Sequence, residues 1–245
     1  MSEAEANLLD AIERSYLEFA RMPCPQKLHA SPSRDASEIL RTLTSAPLRA
    51  LTGEQVGPYS GWAITTVGDD RDYRHFLPRI FELAVTDPVW LGTEPAVMAS
   101  RLNMAKWRAW PAEQQTAVLR FYSAAFGAVV ERHPRDGQSA ADWFCGIAAL
   151  GEPPSVTYEQ WLASALPNAA LHMASFIIAE AKHLSRHAEV RGSFWEEVNE
   201  VDRREVTTIL GAERTMNFMR AASGKVSDED RFYLDAALAE LQRQL

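Results

Sequence analysis

Apolar residues recur at helical spacing along most of the chain, and no stretch shows this better than residues 69–84. Tyr73, Phe76, Leu77, Ile80, Phe81 and Ala84 fall at i, i+3, i+4, i+7, i+8 and i+11, the stripe of an amphipathic helix. Gly68 breaks the preceding segment. Asp69 or Asp70 is placed to cap the new helix, and the acids up to Asp72 suit the positive end of its dipole. Pro78 interrupts the pattern. A proline inside a helix removes a hydrogen bond and clashes with the turn before it, at a cost of about 3 kcal/mol. Either the helix kinks there, or one short helix ends near His75 and another starts with Pro78 in its first turn. The second arrangement is the one expected.

The same reasoning divides the rest of the chain. A first helix covers 3–21, and the prolines at 23, 25 and 32 make 22–34 a loop. Asp35 with Glu38 caps a short helix, Ala36 to Leu43, and a further helix is expected from Glu54 to Thr66. Thr93 and Pro95 open a helix to about Trp107, and Pro111 to Arg132 forms the longest one. After the turn at 133–138, Ser139 with Asp142 caps a helix through Leu150. Further helices are expected from Thr157 to Leu166, Pro167 to about Ala188, Phe194 to Leu210 and Ala212 to Ala222, with a final one capped by Ser227 and Asp230. Hardly any run alternates with period two. The fold class is therefore all-α, with ten to twelve helices packed as hairpins, in an irregular solenoid-like array or a compact bundle. No fixed period separates Pro78, Pro111 and Pro167. One domain over 1–245 is expected, with its best weak boundary near 133–138.

Composition narrows the function classes. Hydrophobic residues make up 47% and charged residues 24%, the balance of a globular protein. The net charge of −8 argues against general nucleic-acid binding, which needs a basic footprint, and leaves room for a basic partner. Two cysteines, Cys24 and Cys145, are too few for a disulfide scaffold. The acidic start Met1-Ser2-Glu3-Ala4-Glu5 is unlike a signal peptide, and no apolar run reaches the roughly 20 residues that span a bilayer, so no membrane role and a cytoplasmic location are expected.

The block Arg74-His75-Phe76-Leu77-Pro78-Arg79-Ile80, with Tyr59 and the run Ala63-Ile64-Thr65-Thr66-Val67-Gly68 before it, resembles a family of uncharacterised bacterial proteins that share an RHFLPRI block. The resemblance spans about residues 47–83 and implies no activity and no functional residues. Some of those proteins carry a cysteine pair upstream. The comparable stretch here, Leu28 to Ser33, has none, so no metal site carries over.

Four constellations carry candidate chemistry. Arg71, Asp72, Arg74, His75 and Arg79 form a basic spot on an acidic protein and could be a recognition cluster; the bland alternative is a solvated helix face. Glu180, His183 and His187 share one helix face, and a His pair at i and i+4 can bind zinc. The HExxH protease pattern is absent, and His172 lies some ~16 Å along the helix from His183, too far to join. The bland reading puts these histidines beside the negative end of a helix dipole. Glu196, Glu197 and Glu200 form an acidic stripe suited to a basic partner, or simply hydrated, on the helix expected from Phe194. Trp107 and Trp110 bracket Lys106 and Arg108, a possible aromatic–cationic surface or ordinary packing. There is no Walker motif, no G-x-G-x-x-G run and no G-x-S-x-G elbow. The expectation is a non-catalytic protein-binding protein that needs no cofactor, such as an immunity or antitoxin protein covering a basic toxin domain. The alternative is a small-molecule-binding protein or enzyme with a pocket between helices, using Arg71, His75 and Arg79, or His183 and His187.

Overall fold

The computed structural model describes residues 1–187, 189–192 and 194–244. Among them the chain is all-α: 71% helical, with twelve helices and no strand. In order these are α1 (Glu3–Glu18), α2 (Ala36–Leu43), α3 (Gly53–Trp62), α4 (Asp70–Thr86), α5 (Pro95–Met104), α6 (Ala112–Glu131), α7 (Ala140–Ala149), α8 (Pro154–Leu162), α9 (Pro167–His187), α10 (Glu200–Gly211), α11 (Glu213–Ser223) and α12 (Asp228–Gln244). The expected helix end at Ala188, the break at Ser193 and the C-terminal Leu245 lie outside the described residues. Packing divides the chain into two compact units, Met1–Ala125 and Phe126–Leu245.

In the first unit, α1 and α3 pack on α4, and α2 packs on α3. The α4 stripe is its core: Tyr73, Phe76, Leu77, Ile80, Phe81 and Ala84 are all fully buried. Contrary to the expected break, α4 runs without interruption through Pro78. Tyr73, Phe76 and Leu77 lie before the proline, and Ile80, Phe81 and Ala84 after it. One continuous helix presents both sets to a single core. At roughly 1.5–3 kcal/mol per large apolar side chain, that burial outweighs the cost of about 3 kcal/mol for the proline. Phe81 stacks on Phe121, with centroids 4.1 Å apart, and Tyr122 meets it edge-on. The start of α4 is set by Asp69, whose Oδ1 accepts from the N–H groups of Arg71 (2.9 Å) and Asp72 (3.1 Å), while Asp72 Oδ2 accepts from the Asp69 N–H. Asp69→Ala removes this reciprocal cap and is expected to lower stability by about 1 kcal/mol, read as a shift in the urea midpoint with unchanged helicity.

The helix expected over Glu54–Thr66 stops earlier. Trp62 O accepts from the N–H groups of Thr65, Thr66 and Val67, and Ile64 turns to a positive φ of 65°. The run Ile64-Thr65-Thr66-Val67 is β-branched and a poor helix former. It instead bonds the 22–34 loop, through Ser31 N–H to Thr66 O and Gly68 N–H to His29 O. The glycines of α3 have a packing role. Gly53 and Gly57 lie under the Trp90 ring, where a Cβ on Gly57 would stand 2.5 Å from the ring's Cγ. Gly92 (φ +91°) brings the backbone of the next loop onto Ser60 and Gly61, and Trp90 Nε1–H donates to Asp87.

In the second unit, α12 and α11 pack on α9, and α10 packs on α8. Trp161, Phe176 and Trp195 form a nearly parallel aromatic series with Phe144 edge-on, and all four are buried. The helix expected from Phe194 to Leu210 is broken. Phe194 takes a positive φ of 71°, Trp195–Glu197 form a single 3-10 turn, Val198 is extended, and Asn199 caps α10 by accepting from Asp202 N–H. Among the described residues, no helix is long and apolar enough to cross a membrane.

Candidate functional site

The basic spot on α4 is distributed among separate structural tasks. Arg71 is exposed, and Asp72 is half-buried in the helix cap, its carboxyl pushed up chiefly by desolvation. Arg74 pairs with Asp70 (3.1 Å) and lies over the Trp110 ring. His75 Nδ1 is 3.0 Å from Met22 O, which fixes that nitrogen as the donor, and its ring meets Phe76 edge-on. Arg79 turns the other way: Nε donates to Leu51 O (2.7 Å) and Nη1 to Glu82 (2.5 Å), whose carboxylate also accepts from Tyr16 OH (2.6 Å). Three side chains of the spot, Arg74, His75 and Arg79, thus reach three other segments, at Trp110, Met22 and Leu51.

The tryptophan pair is packing material. Trp107 Nε1–H donates to Asn103 and Trp110 Nε1–H to Ala105 O, both rings are buried, and Arg108 stacks on Trp107 at 4.0 Å. Neither thiol is set up for nucleophilic chemistry: burial raises Cys24, while burial and then the carboxylates of Asp142, Glu180 and Glu197 raise Cys145.

The candidate zinc trio separates. Glu180 is only 3% exposed, and its Oε2 accepts from the backbone N–H groups of Arg191 (2.9 Å) and Gly192 (3.1 Å). The carboxylate therefore pins the segment that follows α9. The His183 and His187 rings lie 6.4 Å apart, with His187 exposed. Among the described residues, no group of three or more His, Cys, Asp or Glu side chains could hold a metal ion.

What the pinned segment does create is a cleft of about 410 Å³ at the start of α7 and along α9, lined by Asp142, Phe176, Glu180, His183, Arg191 and Trp195 among others. Phe176 and Trp195 are its aromatic lining, and Glu180 borders it with Oε2 committed to backbone and Oε1 taking no hydrogen bond from any described residue. Gly192 is required here, because a Cβ would coincide with Glu180 Oε1 and lie 3.1 Å from Cδ. A second carboxylate locks the segment from behind. Buried Glu189 takes Arg203 Nε at 2.6 Å on one oxygen and Arg191 Nη2 at 3.1 Å on the other. Glu196 and Glu197 lie exposed on the 3-10 turn and Glu200 at the start of α10, so they do not form one helical stripe. Sequence spacing singles out Glu180 and His183 but misses Asp142 as anything beyond a cap, and misses Arg191 and Trp195 altogether. These come from a segment that reads as a linker, and the only signal in it is Gly192.

His172, too distant from His183 to join it, ties α9 to Arg132 and to the start of α7. It is 2% exposed, its Nδ1 accepts from Ala140 N–H (3.4 Å), and its Nε2–H donates to Arg132 O (3.1 Å). Desolvation holds it below the ordinary 6.5, so the folded chain keeps it neutral while the unfolded chain protonates it. Stability is expected to fall as the pH drops below about 6.5, by at most about 1.4 kcal/mol per pH unit from this group. Thermal melts at pH 7.5 and 5.5 measure this, and His172→Gln should flatten the difference.

The chain matches no family model, no curated protein and no solved structure.

Proposed function

We propose that this protein acts by binding, with its ligand site in the cleft over Glu180. One observation carries the reading: Glu180, only 3% exposed, lines a cleft of about 410 Å³ together with His183, and its Oε1 takes no hydrogen bond from any described residue. A ligand that donates to Oε1 would complete the bonding of this carboxyl group and gain affinity from it. The raised thiols favour binding over covalent chemistry, and the reading needs no cofactor. Equilibrating the protein with a small-metabolite extract, filtering, and identifying retained compounds by mass spectrometry tests it. The wild type should retain one chemical class, and His183→Trp, which fills the mouth, should release it. Equal retention by both forms would end the reading.

A second reading has its own support. The net charge of −8, the exposed acids Glu196, Glu197 and Glu200, and Val201 at 75% exposure beside them suit a basic protein partner. An immunity or antitoxin protein that occludes a toxin would use such a face, without touching nucleic acid or membrane. Both readings take the protein to be cytoplasmic, which its acidic composition supports. Purification from the native host should then yield a stoichiometric basic partner, released when the three glutamates are changed to lysine. Recovery of the chain alone would remove this reading and leave the first intact.

A further inference from the structure

We infer that the cleft over Glu180 selects a small organic cation, with a primary ammonium set against Glu180 Oε1; this rests on the cleft being the ligand site. Three features converge on that class. The first is charge. Asp142 and Glu180 both line the cleft. Arg191, which lines the cleft, is already matched: its guanidinium and that of Arg203 both lie on Glu189, so it is turned to a carboxylate of its own segment. An anionic ligand would meet the buried Glu180 with no free guanidinium to offset it.

The second is the wall. Phe176 and Trp195 line the cleft as part of the parallel aromatic series. Both rings are buried in that series and offer apolar contact to the methylene groups of an alkylammonium. The third is the state of Glu180 itself. Its two backbone donors both fall on Oε2, so Oε1 is an acceptor held in place, 97% of the residue being out of water, with no donor to it among the described residues. An ammonium brings three donors and a full positive charge, and Ser139 and Ser175, which also line the cleft, carry hydroxyl oxygens that can accept the others. The volume of about 410 Å³ suits a short amine rather than a polymer.

The test uses the full chain labelled with 15N and three probes of like size: 1,4-diaminobutane, 1,4-butanediol and butanoate. The backbone amides of Arg191 and Gly192, which bond Glu180, are the reporters. The diamine should shift both resonances saturably while the diol and butanoate leave them in place. Glu180→Gln keeps an oxygen for the two amides and puts an NH2 group where Oε1 stands, so the segment stays pinned and diamine affinity should fall at least tenfold. Asp142→Asn, which leaves Glu180 untouched, should also weaken it. Equal diamine binding by wild type and Glu180→Gln would reduce the effect to general attraction by an acidic surface and overturn the inference. Saturable binding of butanoate or diol in preference to the diamine overturns the ligand class while leaving the cleft as a site. Silence from all three probes, with the metabolite test also negative, overturns both.

Discussion

Gly92→Ala is expected to unfold the first unit or bring it close to unfolding. The residue holds φ at +91°, a conformation that costs a non-glycine side chain about 1–3 kcal/mol. Its Cβ would also stand inside the backbone of Ser60 and Gly61, 2.6 Å from Gly61 Cα, and backbone cannot swing aside as a side-chain tip can. Overpacking of this kind adds about 1–3 kcal/mol. A total of about 2–6 kcal/mol is a large part of the roughly 5–15 kcal/mol that holds an ordinary domain together. A urea titration followed by tryptophan emission measures it. Gly211→Ala is the control: it ends α10 with nothing within 4 Å of a new Cβ, and the change should be neutral or slightly stabilising. Similar losses in the two variants would show that the approach of the 87–92 loop to α3 contributes little.

Phe81→Ala should cost nearly as much, about 3–5 kcal/mol, for a different reason. The ring is fully buried against Phe121 and Tyr122, so truncation leaves a hole among rigid aromatic neighbours that cannot collapse into it. Part of the loss is the stacking itself, about 0.5–1.5 kcal/mol beyond the area term. Phe81→Leu keeps most of the volume and loses the stack, so its smaller loss separates the two contributions. Near-ultraviolet circular dichroism should weaken in both variants, while helicity in the folded baseline stays constant. A fully retained urea midpoint in Phe81→Ala would mean that this core relaxes around the hole.

The helical class and the α4 stripe were legible because periodicity and capping are local: every residue of the stripe from Tyr73 to Ala84 is buried as its spacing demands, and Asp69 is the cap. Pro78 was misread because its cost is local while its compensation is spread over a core that the sequence does not display. Gly53, Gly57 and Gly61 are the flat face on which Trp90 and Leu91 lie, and nothing near them in sequence announces that tryptophan. The cleft was half legible. The spacing of Glu180 and His183 drew attention to the right helix, for a metal that the trio is not arranged to bind. The missing half arises because Glu180 bonds backbone amides of Arg191 and Gly192, and a backbone amide leaves no mark in a sequence.

The phenols of the first unit have a consequence for alkaline solutions. Tyr59 and Tyr73 lie deep in the core with hydroxyls that no described group bonds, and Tyr122 donates to Pro95 O. Burial raises all three well above the ordinary value of 10. Folded, they stay protonated where an unfolded chain would release its protons, so rising pH beyond that value draws the unit open. Tyrosinate absorbance from these three rings will then appear together with loss of structure rather than ahead of it. A simple ultraviolet titration becomes a clock for the opening of Met1–Ala125.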